Sequence, residues 1–159
     1  MISVRQAVVS DADAITALTG QLGYDVAPAR VAARLTRFLS QPDDHHVLLA
    51  EAGGEPAGWL HASIVEYIEA ERFVMICGLV VERRHRGRGV GSALLQEAET
   101  WALRVGCPIV RLWSTSLRTA AHRFYERRGY TIVKTQHAFV KAVGAGAEPL
   151  AAFVPRVEE

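Results

Sequence analysis

Cysteine is scarce: Cys77 and Cys107 are the two among 159 residues. They stand thirty positions apart with no Cys-x-x-Cys and no Cys/His spacing around either. A disulfide framework and a structural zinc site are therefore not expected. Charge of one sign is also lacking, since eighteen Lys plus Arg face seventeen Asp plus Glu and leave a net charge of +1. Such a chain has no global field to hold a polyanion, and nucleic acid is not expected as a partner. Long hydrophobic runs are missing as well. The longest, Phe73 to Val81, is far short of the ~18 residues that span a bilayer. The opening Met1-Ile2-Ser3-Val4-Arg5 has no apolar stretch of the secretory kind, so a cytoplasmic protein without a membrane anchor is expected. No repeat and no low-complexity tract divides the chain.

What the chain does have is core-forming material. Half of its residues are apolar and 22 % are charged, enough to fold one domain and unlike the composition of disorder. Residues 2–8 read as a strand. Ser10 with Asp13 resembles a capping box before a helix carrying Ile15, Leu18 and Leu22, stopped by Gly23. Pro28 suits the first turn of a second helix, with Val31, Leu35, Phe38 and Leu39 on one face. Val47 to Ala52 and Ala57 to Tyr67 read as strands joined by the turn cluster Gly53-Gly54-Glu55-Pro56. Phe73 to Val81, apolar on both faces, suits the middle of a sheet. From Val90 the positions Leu94, Ala98, Trp101 and Val105 continue a helical spacing that Gly106-Cys107-Pro108 ends. Ile109 to Trp113 follows as a strand, Thr119 to Arg128 as a helix stopped by Gly129, and Tyr130 to Val143 as a terminal strand pair. The order βααβββαβαββ describes an α/β fold.

The chemically informative stretch runs from Leu79 to Ser92, a buried strand entering Arg86-Gly87-Arg88-Gly89-Val90-Gly91-Ser92 and then a helix. Glycines permit positive φ and close approach, so successive backbone N–H groups and the positive end of the helix can converge on one phosphate. A Walker A loop needs Gly-Lys-Ser/Thr, and there is no lysine between Gly78 and Lys134. A dinucleotide fingerprint needs a third glycine where Ser92 stands, and an acidic residue about 20 positions on that is missing near Cys107. The remaining pattern, Arg-x-x-Gly-x-Gly at Arg86, Gly89 and Gly91 after an apolar strand, resembles the pyrophosphate loop of the GNAT family of acyl-CoA-dependent N-acetyltransferases. Ala121-His122-Arg123-Phe124-Tyr125-Glu126-Arg127-Arg128-Gly129-Tyr130 is similar to that family's Ala-x-x-x-Tyr-Glu-x-x-Gly-aromatic segment. The resemblance spans residues 1–143 as one acetyltransferase domain and leaves 144–159 as a C-terminal tail. It implies a mixed, mostly antiparallel sheet flanked by helices.

It also implies roles. Acetyl-CoA is the co-substrate, and no metal is called for. Arg86, Gly87, Arg88, Gly89, Val90, Gly91 and Ser92 would hold its pyrophosphate. The backbone of Leu79, Val80 and Val81 would bind the acetyl carbonyl and pantetheine arm where the strand splays from its neighbour. Tyr125 corresponds to the tyrosine that protonates the departing thiolate; a phenol of pKa near ~10 is in the right state for that at neutral pH. Arg118 stands where many relatives carry asparagine and can pair with a CoA phosphate. Arg83 and Arg84 extend the basic cluster.

The general base departs from well-known members. Phe73 to Val81 contains no carboxylate, and the next strand has Trp113 where others carry glutamate. Glu66, Glu69, Glu71 and His61 are the substitutes, directly or through water. Tyr24-Asp25 and the glutamates between 66 and 71 would suit a cationic acceptor, an aminoglycoside-like or polyamine-like amine, with Trp59, Tyr67 and Trp113 as walls. A protein N-terminus or lysine as acceptor, a CoA-binding sensor without turnover and a scaffold domain are the competing readings. Oligomeric state is left open, a homodimer included. His45 and His46 are adjacent, point to opposite strand faces and are not read as metal ligands.

Overall fold

The computed structural model describes residues 1–147. Gly53 and Gly54, at φ +63° and +85°, make the tight turn that folds β2 (His45–Ala52) antiparallel onto β3 (Glu55–Tyr67). A second hairpin pairs β3 with β4 (Ala70–Val81), and β1 (Ile2–Gln6) lines the other side of β2. β5 (Val110–Leu112) lies parallel to β4, so the sheet runs β1-β2-β3-β4-β5. β3, and not the strand containing Phe73 to Val81, is the middle of the five; β4 has a neighbour on each side but the outer one is short.

Strand alternation gives the sheet two apolar faces, and each is covered by helix. On one, Leu94, Leu95, Ala98 and Trp101 of α3 (Val90–Arg104) pack against Leu48, Leu60, Val74 and Ile76. On the other, Ile15 and Leu18 of α1 (Ala12–Gly20) and Leu35 of α2 (Pro28–Leu39) meet Val47, Leu49 and Val80. Pro28 occupies the first turn of α2 as its fixed φ suits.

The start of α1 differs from the capping box expected of Ser10 and Asp13. A 3-10 turn, Val9–Asp11, precedes the helix. Asp11 is the organising residue: it accepts the Val8 N–H at 2.8 Å and both terminal Arg5 nitrogens at 2.8 and 2.9 Å. Arg5 also reaches Glu51 on β2 at 2.9 Å. A bidentate, charge-assisted pair outweighs a hydroxyl cap, and the Arg5 guanidinium holds the Asp11 carboxyl below its ordinary pKa.

The terminal strand pair expected over Tyr130 to Val143 is not formed. The observed order ends βααβββαβα, with α4 (Thr119–Arg127) the last element described. A strand exists only by pairing, and residues 131–143 make no backbone hydrogen bond to another described residue and are exposed throughout. Of the tail, residues 148–159 lie outside the described residues. No helix among the described residues is long and apolar enough to cross a membrane.

Close packing of sheet and α3 leaves no room at Gly58, where a Cβ would lie 2.6 Å from the Val80 carbonyl oxygen and 3.2 Å from both Leu94 and Val90 side-chain carbons. Gly58→Ala should therefore destabilise the protein by about 1–3 kcal/mol, the usual cost of overpacking. Thermal denaturation reads this as a lowered Tm; an unchanged Tm would contradict the packing.

Candidate functional site

β4 leaves the sheet through a 3-10 turn, Arg83–His85, and enters α3 across Arg86-Gly87-Arg88-Gly89. Several bonds fix this path. The Glu82 carboxylate accepts from the Arg84 backbone N–H and from Arg84 Nε, each at 3.0 Å. The Arg83 N–H donates to Gln21 Oε1 at 3.1 Å, tying the turn to the end of α1, and Arg86 Nε donates to the Val81 carbonyl at 3.1 Å. Gly87 and Gly89 take φ of +72° and +92°, values a side chain would strain. Gly91 is needed for another reason: a Cβ there would lie 3.2 Å from Phe124 Cζ.

The consequence is an open helix N-terminus. The first bond within α3 runs from the Ala93 N–H to the Gly89 carbonyl at 2.9 Å, and no side chain caps Gly89. The N–H groups of Val90, Gly91 and Ser92 have no partner among the described residues. They add to the helix dipole as an anion cradle. Arg88 and His85 line a hollow beside it together with Ile2 and Gly53.

One strand away, the sheet opens. β5 pairs with β4 only over Val74, Met75 and Ile76. The β3–β4 register then slips: His61 faces Gly78 while Ala62 faces Ile76, so Cys77 is the extra residue of a bulge. From Cys77 to Val81, β4 has no β5 partner, so the backbone groups that point away from β3 lack a ladder partner, and the Val81 carbonyl accepts Arg86 Nε instead. Leu79 and Val81 pack toward α3 and Val80 toward α1 and α2. Their side chains are core while part of their backbone borders the opening. Sequence reasoning passed over Gly78, which is where the Trp59 indole crosses β4: a Cβ would lie 2.7 Å from Trp59 Cη2. A lone glycine inside an apolar strand was the available signal for a bulge or close approach.

α4 brings Tyr125 to this region. Phe124 takes the inward side against Gly91, as adjacent helical residues require. Tyr125 stacks edge-on with Phe124 at 5.1 Å and with Tyr130 at 5.8 Å between centroids. Burial pushes the Tyr125 phenol above its ordinary pKa, against the opposing charge of Arg118, which caps α4. It is a neutral donor whose hydroxyl has no partner among the described residues. Gly129, at φ +88°, ends the helix, and the Tyr130 hydroxyl donates to Glu99 of α3 at 3.0 Å. The Tyr-Glu-Arg-Arg-Gly-Tyr stretch thus both presents Tyr125 and clamps α4 to α3.

The other candidates are dispersed. Glu66, Glu69 and Glu71 are exposed around the β3–β4 turn. Cys77 lies six residues along β4 from Glu71, about 20 Å at the usual strand rise. Trp113 is exposed, and Tyr67 packs edge-on against Phe73 under Arg111. Tyr24 and Asp25 sit in the connection from α1 to α2. His61 is nearer the opening, paired with Gly78. Its Nε2 is 3.0 Å from His45 Nδ1, and Phe38 stacks on its ring at 4.3 Å. Burial, then the charge of His45, pushes His61 down to about 4. His46 points to the opposite face and stacks on Trp101. No group of three or more His, Cys, Asp and Glu among the described residues could hold a metal ion.

Comparison with known proteins supplies the family. Residues 14–130 match the model of the Acetyltransferase (GNAT) family. The aminoalkylphosphonate N-acetyltransferase of Salmonella typhimurium is 31 % identical over 146 residues, covering 88 % of this chain and 90 % of that protein. An uncharacterised N-acetyltransferase of Methanocaldococcus jannaschii is 30 % identical over 96 residues, or 59 % of this chain, and the match spans less than half, 42 %, of that protein's length. Among solved structures, an aminoglycoside N-acetyltransferase in complex with the bisubstrate analogue CoA-S-monomethyl-acetylneamine superposes with a TM-score of 0.80 at 21 % identity, covering 89 % of this chain and 99 % of that one.

The buried imidazole makes stability depend on pH. Folded His61 stays neutral until about pH 4, whereas the unfolded chain binds a proton near 6.5. The unfolded state therefore binds more protons between those values, and stability falls as pH drops through that window. Discounted for residual exposure, the loss is about 2 kcal/mol. His61→Gln should flatten the fall of Tm between pH 6.5 and 4.5, leaving the smaller part due to His46, whose pKa burial also lowers. An identical slope in the variant would contradict this environment.

Proposed function

The chain belongs to the acetyltransferase (GNAT) family, and from that premise we propose that it moves an acetyl group from acetyl-CoA to the primary amine of a small cationic acceptor, by direct attack in a ternary complex. The observation that carries the reading is the placement of two backbone features side by side, the uncapped N-terminus of α3 and the stretch of β4 that β5 leaves unpaired. The first suits a pyrophosphate, with Arg86 to Ser92 supplying the amides and Arg88 and Arg118 supplying charge. The second suits a thioester arm laid along Leu79, Val80 and Val81 in place of a strand. The co-substrate is drawn from the cytoplasm, where the protein is expected to act.

In this reading the neutral amine attacks the thioester carbonyl carbon, and the carbonyl oxygen gathers negative charge against strand N–H groups. Donors fixed in advance toward a developing oxyanion are worth ~3–4 kcal/mol. The C–S bond then breaks, Tyr125 gives its proton to the thiolate, and the proton lost by the amine leaves through water. Tyr125 suits the role because burial keeps its phenol protonated. That the acceptor is a small amine is supported by the Salmonella relative, named an aminoalkylphosphonate N-acetyltransferase; that name does not bear on the acceptor's positive charge. The carboxylates at Glu66, Glu69 and Glu71 stand well away from the opening, so the cationic character of the acceptor rests on Tyr24-Asp25 and the sequence reading rather than on them.

Two experiments test this. Gly89→Asp places a side chain at positive φ and a negative charge in the cradle; acetyl-CoA binding by calorimetry should vanish with the far-UV circular dichroism retained, and unchanged affinity would remove the cradle from the mechanism. Tyr125→Phe should lower turnover by ~10²–10⁴-fold, the range of general acid–base groups, with acetyl-CoA affinity preserved. Wild-type turnover where chemistry limits the rate would reduce Tyr125 to packing.

The missing strand carboxylate makes a third. An amine of pKa ~10.4 is neutral to about one part in a thousand near pH 7.4, so water suffices as proton acceptor if that fraction binds. The rate should climb with pH, and Glu66→Gln, Glu69→Gln and Glu71→Gln should each keep measurable turnover. A loss of about a thousand-fold in one of them, with acetyl-CoA binding intact, would identify a dedicated base.

A further inference from the structure

Of the described α-helices, α4 is the one in which no residue is fully buried. It spans nine residues, and a helix of that length is marginal by itself. Its place, and that of Tyr125 with it, therefore comes from a few side-chain contacts, and two of them grip the Tyr125 ring. Phe124, seated against Gly91 of α3, meets it edge-on from one side. The end of the helix supplies the other. The Tyr130 N–H donates to the Tyr125 carbonyl at 3.1 Å and the Gly129 N–H to the Glu126 carbonyl at 3.0 Å, around Gly129 at φ +88°. This pair of bonds is a Schellman motif, which brings the residue after the glycine onto the residue five before it. Here it lays the Tyr130 ring edge-on against Tyr125 at 5.8 Å between centroids. The motif ties Tyr130 to α4 alone. The tie to the body of the protein is Glu99 of α3, whose Oε1 accepts the Tyr130 hydroxyl at 3.0 Å while its Oε2 stands 3.7 Å from Arg128 Nη2. Burial, and then the charge and hydrogen bond of Glu99, push the Tyr130 phenol above its ordinary pKa, so this hydroxyl remains a donor.

We propose that Glu99 is a positioning residue for acetyl transfer, and that it sets, through Tyr130, where the Tyr125 hydroxyl stands. The inference rests on the reading of Tyr125 as the donor to the departing thiolate and adds a residue to it. Glu99 acts by geometry rather than by charge: the Tyr125 phenol is pushed up by burial against the opposing charge of Arg118. A reacting group displaced by about 1 Å can cost two orders of magnitude in rate. The bond from Glu99 to Tyr130 is the one that fixes the C-terminal side of the Tyr125 ring to α3. Gly91 and Glu99 lie about two turns apart on that helix. One rigid element then carries both the cradle proposed for the pyrophosphate and the two seats of the Tyr125 ring, so the distance from thioester to proton donor does not depend on α4 holding itself in place.

The test combines kinetics with a spectroscopic signature of Tyr125. Turnover is read as thiol release from acetyl-CoA, with the amine that the wild type uses fastest in a panel of primary amines that includes spermidine. Tyr130→Phe, which keeps the ring and removes the hydroxyl, and Glu99→Ala should each lower kcat about ten-fold or more, with acetyl-CoA affinity by calorimetry and the circular dichroism retained. Glu99→Gln, whose amide oxygen still accepts the hydroxyl, should keep the wild-type kcat. In a Tyr125→Phe background, Tyr130→Phe should cost nothing further, because no proton donor is left to place. Fluorine NMR of the fluorotyrosine-labelled chain needs no acceptor: the Tyr125 resonance, assigned by its loss in Tyr125→Phe, should move in Glu99→Ala and Tyr130→Phe and stay in place in Glu99→Gln. Losses that multiply in the double variant, a Glu99→Gln as slow as Glu99→Ala, or an unmoved Tyr125 resonance would each overturn the positioning role and leave acetyl transfer standing. Wild-type kcat in Tyr125→Phe alone would instead overturn the reading of Tyr125, and this proposal with it.

Discussion

The site depends on one event in the backbone: after Ile76, β4 stops pairing with β5. Within a closed sheet every amide of a central strand is used, and nothing is left to bind a ligand. Here the parallel pairing ends after three residues, the extra residue Cys77 shifts the register against β3, and the rest of β4 keeps one neighbour instead of two. The stretch is held straight by what packs on its two faces, α3 on one and α1 with α2 on the other. In the proposed reading a thioester arm would lie along this backbone, while the side chains of Leu79, Val80 and Val81 stay in the core.

The same economy holds at the N-terminus of α3. A chain of net charge +1 offers no attraction at a distance, so an anion has to be recognised locally. The local field comes from the N-terminus of α3, and its strength depends on that terminus staying uncapped. Asp11 shows the opposite arrangement at the start of α1, where a carboxylate takes the Val8 amide and two arginine nitrogens and leaves nothing for a ligand. Between the cradle and Tyr125 the connection is steric. Gly91 lets Phe124 approach α3, and the Tyr130–Glu99 bond holds the other end of α4. Two such anchors fix α4, and with it Tyr125, against α3.

The buried histidines are equally informative. His61 and His45 touch beneath Phe38 on the face of the sheet that α2 covers. Burial suppresses the charge of His61, which makes it a poor resident for an amine's proton and a cause of acid sensitivity.

The sequence by itself determined whatever rests on neighbours in the chain. The glycine loop and the helix after it were legible because positive φ, uncapped amides and the dipole belong to consecutive residues. The Gly53-Gly54 hairpin, the proline that opens α2 and the inward turn of Phe124 beside Tyr125 were legible for the same reason. Only the tertiary structure decided what depends on residues distant in the chain. Cys77 becomes a bulge because His61 and Ala62, on another strand, fix the register around it. Gly78 matters because Trp59 crosses it, Asp11 because Arg5 and Glu51 converge on one another, and His61 is neutral because Phe38 and His45 enclose it. The last lesson concerns Tyr130 to Val143, where strand propensity is written plainly but no strand forms. Propensity states what a segment can pair as, and the edge that would accept it is set by how the whole sheet ends.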